Sequence, residues 1–132
     1  MLLTGASRGI GHGTCQLFAA AGWRVITVSR TPFDTSSKCP WKAGGVNHVQ
    51  ADLSSPKDTE RAISEIKRRL GGEPLHALVN NAAISPKNDA KQRLAVQETD
   101  LATWQRVMQV NFIAPIMLAN GLLSELQVRN PV

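Results

Sequence analysis

Met1-Leu2-Leu3-Thr4-Gly5-Ala6-Ser7-Arg8-Gly9-Ile10-Gly11 opens the chain, and its reading decides the fold. Three apolar residues predict a short strand, Met1–Leu3. Three glycines in seven residues, Gly5, Gly9 and Gly11, predict a tight turn. A helical pattern then runs from Arg8 through Cys15, Leu17 and Phe18 to Ala21, and Gly22 stops it. A strand feeding a glycine-rich turn feeding a helix is how proteins hold a dinucleotide pyrophosphate. Glycine lets the backbone approach phosphate without a clashing Cβ. The helix start offers N–H groups without intrahelical partners and the positive end of a dipole. A glycine-rich turn with no ligand is the plainer alternative.

Working outward, strands and helices alternate. Arg24–Val28 is β-branched and reads as strand two. Thr31 to Gly45 is rich in Pro, Gly, Ser and Thr and reads as a loop, followed by a third strand over Val46–Ala51. Ser55-Pro56 is a helix start, with Ser as N-cap and Pro in the first turn. Ala62, Ile63, Ile66 and Leu70 mark its apolar face, and Gly71-Gly72 ends it. Leu75–Val79 is an apolar fourth strand, and Ser85 to Gln97 is polar and irregular. One helix is expected from about Thr99 to Gln127, with Pro115 inside it. Proline cannot donate to the carbonyl four residues back, so a kink with a free Asn111 carbonyl is expected. This order implies an α/β fold: the first half of a Rossmann-type doubly wound parallel sheet, strand order 3-2-1-4, with helices on both faces. Residues 1–132 read as a single partial domain. Asn130-Pro131-Val132 reads as the first residues of a fifth strand.

Composition narrows the function. Hydrophobic residues make up 42% of the 132, enough for a packed core, and charged residues 19%, which argues against disorder. The net charge is +5, but the basic residues are scattered and there are three Trp, three Phe and no Tyr. That pattern offers no stacking platform or basic arm for nucleic acid, and a phosphorylated cofactor is the simpler anionic partner. No stretch is long and apolar enough to span a bilayer; Phe112 to Ala119 is short and broken by Pro115. Cys15 and Cys39 are unpatterned and suggest reduced thiols in a cytosolic protein. His12, His48 and His76 lack metal-ligand spacing with them, so no metal is expected.

The turn is spaced T-G-x-x-x-G-x-G, and Asn80-Asn81-Ala82-Ala83 follows at the end of strand four. Together, in this order, the two motifs resemble the short-chain dehydrogenase/reductase family over nearly the whole chain, matching the N-terminal half of the family pattern. Ala83 stands where members often carry Gly. The resemblance implies hydride transfer between a nicotinamide cofactor and a small-molecule carbonyl or alcohol. A noncatalytic nucleotide-binding or sensing module of the same fold is the alternative. Thr4, Gly5, Ser7, Arg8, Gly9, Ile10 and Gly11 are the candidate phosphate turn, with Thr4 and Ser7 either donating to the pyrophosphate or bracing the loop.

Cofactor choice turns on the end of strand two. An NAD enzyme usually places a carboxylate there, about twenty residues past the turn. This chain reads Ser29-Arg30-Thr31, and Arg30, with Arg8 nearby, suits the 2′-phosphate of NADP instead. Asp34 lies deep in the loop and is discounted. By resemblance, Asp52 accepts from the adenine amino group and the next backbone N–H, of Leu53, meets the ring; Asp52 closing a strand is the plainer reading. Asn80 and Ala82 are expected beside the cofactor ribose. Asn111 matches the family's catalytic asparagine, whose carbonyl holds a water on the proton path to a lysine; a tolerated polar residue in a kinked helix is the alternative. The family's Ser…Tyr-x-x-x-Lys group belongs beyond strand five, so the 132 residues alone are expected to be inactive. The full-length form is expected to be a homo-oligomer, with the Ile113 to Gln127 segment as the candidate surface.

Overall fold

The computed structural model describes residues 1–32 and 47–126. The expected strands from residue 130, Asp34 and Cys39 lie outside them. Strand β1 spans Leu2–Thr4, β2 Ile26–Ser29, β3 His48–Gln50 and β4 Leu78–Val79; helix α1 spans Gly9–Ala20 and α2 Pro56–Leu70. The four strands form one parallel sheet in the order β3-β2-β1-β4. Each strand is shorter than, or shifted by a residue from, the apolar run that signalled it. The ladder needs only the residues that face a neighbour: at β4 Leu78 and Val79 pair with Leu2 and Leu3, and Ala77 contributes only its carbonyl, 2.8 Å from the Leu2 amide.

Alternation along the strands divides the core in two. Leu2, Ile26, Val28 and Val49 pack on one face with Ala62, Ile66 and Leu70 of α2 and with Ala114, Leu118 and Leu122. Met1, Leu3 and Val25 pack on the other with Cys15 of α1, against Phe18 and Ala19. Both faces of the sheet are covered, as parallel sheets require.

Helix α2 forms where its caps say it should. The Ser55 hydroxyl accepts from the Asp58 amide at 3.2 Å, Pro56 occupies the first turn, and Gly71 closes the helix with φ 59°. Its apolar stripe meets the helix of residues 114–121, and Gly121 makes the approach possible. A Cβ there would sit 2.8 Å from Ile63 Cδ1.

The single helix expected from Thr99 to Gln127 is instead broken. Asp100 caps α3, Leu101–Met108, its carboxylate accepting from the Thr103 amide at 2.7 Å. A π-helical turn follows over Gln109–Ile113, in which the Ala114 amide bonds the carbonyl of Gln109, five residues back. Helix α4 then runs Ala114–Gly121 and α5 Leu123–Leu126. Pro115 falls in the first turn of α4, where a missing N–H costs nothing. The chain answers the proline with a widened turn rather than a simple kink. The polar stretch before α3 is also more ordered than its composition suggests. Lys87 and Arg93 form an isolated antiparallel bridge, and Val96–Glu98 is a short 3₁₀ turn.

Candidate functional site

At the carboxyl ends of the strands, where ligands bind in open α/β sheets, lies a cavity of about 560 Å3. Its floor is the β1–α1 turn. Gly5 has φ 71° and Gly9 φ 59°, a region that disfavours side chains. The three glycines do different work. A Cβ on Gly11 would fall 2.3 Å from the Gly5 carbonyl oxygen, and one on Gly5 would fall 2.9 Å from Ala82 Cα. Both positions are spent on packing the turn against the sheet. A Cβ on Gly9 would meet nothing within 4 Å, although Gly9 lines the cavity. Gly9 therefore faces open space that a ligand can occupy.

The backbone amides tell the same story. The Gly5 N–H is used internally, bonding the Val28 carbonyl at 2.8 Å. Among the described residues, none of the amides from Ala6 to Gly11 bonds another group, and Gly9 begins α1. A row of donors at a helix N-terminus, with one glycine opening onto them, fits a pyrophosphate. Ser7, Arg8 and Ile10 are exposed and line the same cavity.

Thr4 is placed differently. It is buried, and its hydroxyl accepts from the amides of Asn81 at 3.0 Å and Ala82 at 2.9 Å. Thr4 ties β1 to the end of β4 instead of pointing into the cavity. Asn81, not Asn80, is its counterpart. The Asn81 side chain donates to the carbonyls of Thr4 at 3.0 Å and Gly5 at 3.3 Å, and Asn81, Ala82, Ala83 and Ile84 line the cavity. Asn80 is exposed and not part of that wall. Two adjacent asparagines at a strand end face opposite ways, so choosing between them required the strand's register, which the sequence did not supply.

The end of β2 brings Ser29, Arg30 and Thr31 to the wall. The Ser29 hydroxyl donates to the Thr31 carbonyl at 3.1 Å. Arg30 is exposed, and among the described residues it forms no salt bridge, although Asp52 lies near enough to feel its charge. Asp52 and Leu53 follow β3. Partial burial pushes the Asp52 carboxyl up, but the Ser54 amide, 2.9 Å away, the Ser54 hydroxyl and the Arg30 and Arg106 cations outweigh it and hold it below the usual carboxylate range. Asp52 is thus an acceptor at neutral pH. The Leu53 carbonyl accepts from the buried Gln109 side chain at 3.5 Å, which ties this corner to the π turn.

Arg106 and Val110, one turn apart on the α3 side, complete the wall. Neither was singled out from the sequence. No local signal marked them, because their place in the wall comes from how α3 and the π turn are set against the Asp52 corner. Asn111 is exposed, and its side chain clasps the backbone of Ile84 with two hydrogen bonds of 2.9 Å. Its carbonyl loses its α-helical donor to Pro115. The cavity thus gathers the turn glycines, Arg8, Arg30, Asp52 and Leu53 into one place, with Asn111 anchoring its edge. Among the described residues no cluster of His, Cys, Asp or Glu is gathered for a metal, and no helix is long and apolar enough to cross a membrane.

The short chain dehydrogenase family model matches residues 1–131. Protein FixR of Bradyrhizobium diazoefficiens is 54% identical over 127 residues, 96% of this chain and 45% of that protein. The crystal structure of an oxidoreductase of the short chain dehydrogenase/reductase family from Brucella ovis, in complex with a partially ordered NAD, matches at 57% identity with a TM-score of 0.87. The match covers 95% of this chain and 56% of that one. The NADPH-bound carbonyl reductase from chicken fatty liver is 27% identical with a TM-score of 0.70, over 94% of this chain and 50% of that one. The chain spans about half the length of these relatives. From the agreement of sheet order, phosphate turn and family match, the chain belongs to the short-chain dehydrogenase/reductase family of oxidoreductases.

Proposed function

We propose that these residues are the cofactor-binding half of an NADP-dependent oxidoreductase acting on a small-molecule carbonyl or alcohol. When bound, the nicotinamide supplies or accepts hydride. The chain's own groups bind and orient it. The amides from Ala6 to Gly11 receive the pyrophosphate, Asp52 accepts from the adenine amino group, and Thr4 and Asn81 hold the turn against β4. The Asn111 carbonyl is free to hold a water on the path of the transferred proton. The 132 residues contain no tyrosine, so we expect them to bind cofactor without turning over a carbonyl by themselves.

The observation that carries the choice of NADP is Arg30. It follows β2 with Ser29 before it and Thr31 and Pro32 after it, with no carboxylate among them to repel a 2′-phosphate. Arg8 lines the same cavity. The NADPH in the chicken carbonyl reductase accords with this reading. The NAD in the Brucella ovis structure is the competing choice, and Arg30 is what separates the two. Fluorescence titration of Arg30→Glu with NADPH and with NADH decides between them. Affinity for NADPH should fall at least about tenfold more than affinity for NADH, the value of one lost charge-assisted contact plus a new repulsion. Equal losses would overturn the assignment.

Ile113, Ile116 and Leu123 are exposed, and Leu101, Trp104, Met108 and Phe112 extend that apolar surface along α3 and the π turn. We propose this surface as the contact with a second copy.

A further inference from the structure

The ladder between β2 and β3 ends where the Ala51 amide bonds the Ser29 carbonyl at 2.9 Å. Beyond that point no strand among the described residues answers the carbonyls of Arg30 and Thr31. Two side chains of β3 do so instead. Gln50 Nε2 donates to the Arg30 carbonyl at 3.0 Å, and His48 Nε2 bonds the Thr31 carbonyl at 3.0 Å. His48 and Gln50 are two residues apart and so share one side of the strand. A carbonyl can only accept, so Nε2 of His48 carries the proton. Its Nδ1, 2.9 Å from the Thr27 hydroxyl, is then the acceptor, which locks the ring between β2 and the residues just past its end. Burial pushes His48 below its ordinary 6.5, in keeping with a neutral ring. The Ser29 hydroxyl adds a second bond to the Thr31 carbonyl. Three side chains therefore fix two successive peptide units, although Arg30 itself is exposed.

We infer that His48 and Gln50 are positioning residues for cofactor selection: they set the Arg30–Thr31 backbone so that the Arg30 guanidinium meets the 2′-phosphate of NADP. The inference rests on the assignment of that phosphate to Arg30. A long, exposed arginine on a free backbone would lose conformational freedom on every binding event. Fixing its peptide beforehand removes part of that cost, and the saving falls only on the cofactor that carries the extra phosphate.

Gln50→Met keeps the size and removes the donor at an exposed position, so the fold should survive; His48→Leu is the companion. Each is titrated with NADPH and NADH by fluorescence, alone and combined with Arg30→Ala. The dissociation constant for NADPH should rise about three- to tenfold while that for NADH stays within about twofold, the range for releasing one side chain from order. In the Arg30→Ala background the effect of Gln50→Met should vanish. Unchanged affinities, equal losses for both cofactors, or a selective loss that persists without Arg30 would each overturn the inference. If Arg30→Ala alone leaves the NADPH-to-NADH ratio unchanged, the phosphate assignment itself falls and takes this inference with it.

Discussion

Asn111 and Ile84 are joined as two strand residues would be. The Ile84 amide donates to Asn111 Oδ1 and Asn111 Nδ2 donates to the Ile84 carbonyl, both at 2.9 Å. A side chain on the π turn thereby stands in for a neighbouring strand just past β4, and it holds the wall of the cavity to the helix that carries Arg106 and Val110. Asn111→Leu removes both bonds. Because they are exposed and water can replace them, the loss should be about 1–2 kcal/mol of unfolding free energy in a urea titration. Cofactor affinity should fall as the wall loosens. A variant as stable as the parent, with unchanged NADPH binding, would show that the clasp does nothing.

Thr4 carries a larger share. Its buried hydroxyl accepts from both the Asn81 and Ala82 amides. Thr4→Val keeps the shape and leaves the Ala82 amide without its acceptor, while the Asn81 amide keeps the Val79 carbonyl at 3.1 Å, at a cost of about 2 kcal/mol. Thr4→Ser should recover most of that in the same urea titration. Failure of Ser to outperform Val would mean that the methyl group, not the hydroxyl, holds β1 to β4.

The two glycines that frame the start of α1 should respond in opposite ways. Gly11→Ala drives a Cβ to 2.3 Å from the Gly5 carbonyl, which the backbone must move to avoid. It should impair folding, seen as loss of the cooperative transition. Gly9→Ala meets no protein atom within 4 Å. Its cost to stability should be the left-handed strain, about 1–2 kcal/mol, while its Cβ intrudes where the pyrophosphate belongs and NADPH binding is lost. A Gly9→Ala protein that binds NADPH normally would place the pyrophosphate elsewhere.

Acid should destabilise the fold in two stages. Burial lowers His48 from 6.5, so the unfolded chain binds a proton that the folded one refuses, and stability declines as pH falls below about 6.5. Glu65 is held at about 2 instead of 4.5, first by hydrogen bonds from Arg68 and Arg69, each with a 2.6 Å contact to its Oε1. A depressed carboxylate stabilises above its unfolded value and loses that contribution as pH falls through its folded one, here between about 4.5 and about 2. The urea midpoint should therefore decline gently below 6.5 and steeply below 4.5, and Glu65→Gln should flatten part of the steep limb. A midpoint constant down to pH 3 would contradict this.

Much of the architecture could be read before any coordinates. The first eleven residues announce strand, turn and helix because glycine spacing and an apolar run are local signals. Ser55-Pro56 and Gly71 bound α2 because caps are local too. What the chain hid depends on contacts between distant segments. Leu75 and His76 look like strand yet sit outside β4, because only Leu78 and Val79 have partners in β1. Asn81 rather than Asn80 reaches Thr4 because the register of β4 against β1 decides which neighbour turns inward. Pro115 pointed to a disturbance near Asn111, but the sequence could not say that the helix would absorb it as a π turn. Arg106 lines the cavity only because α3 is set against the Asp52–Ser54 corner, a tertiary fact.

The most direct test of the whole account is a crystal of this protein soaked with NADP. The account predicts density for the pyrophosphate over the amides from Ala6 to Gly11, the adenine beside Asp52 and the 2′-phosphate within hydrogen-bonding reach of Arg30. A dinucleotide bound away from the β1–α1 turn, or one whose 2′-phosphate points away from Arg30, would contradict it.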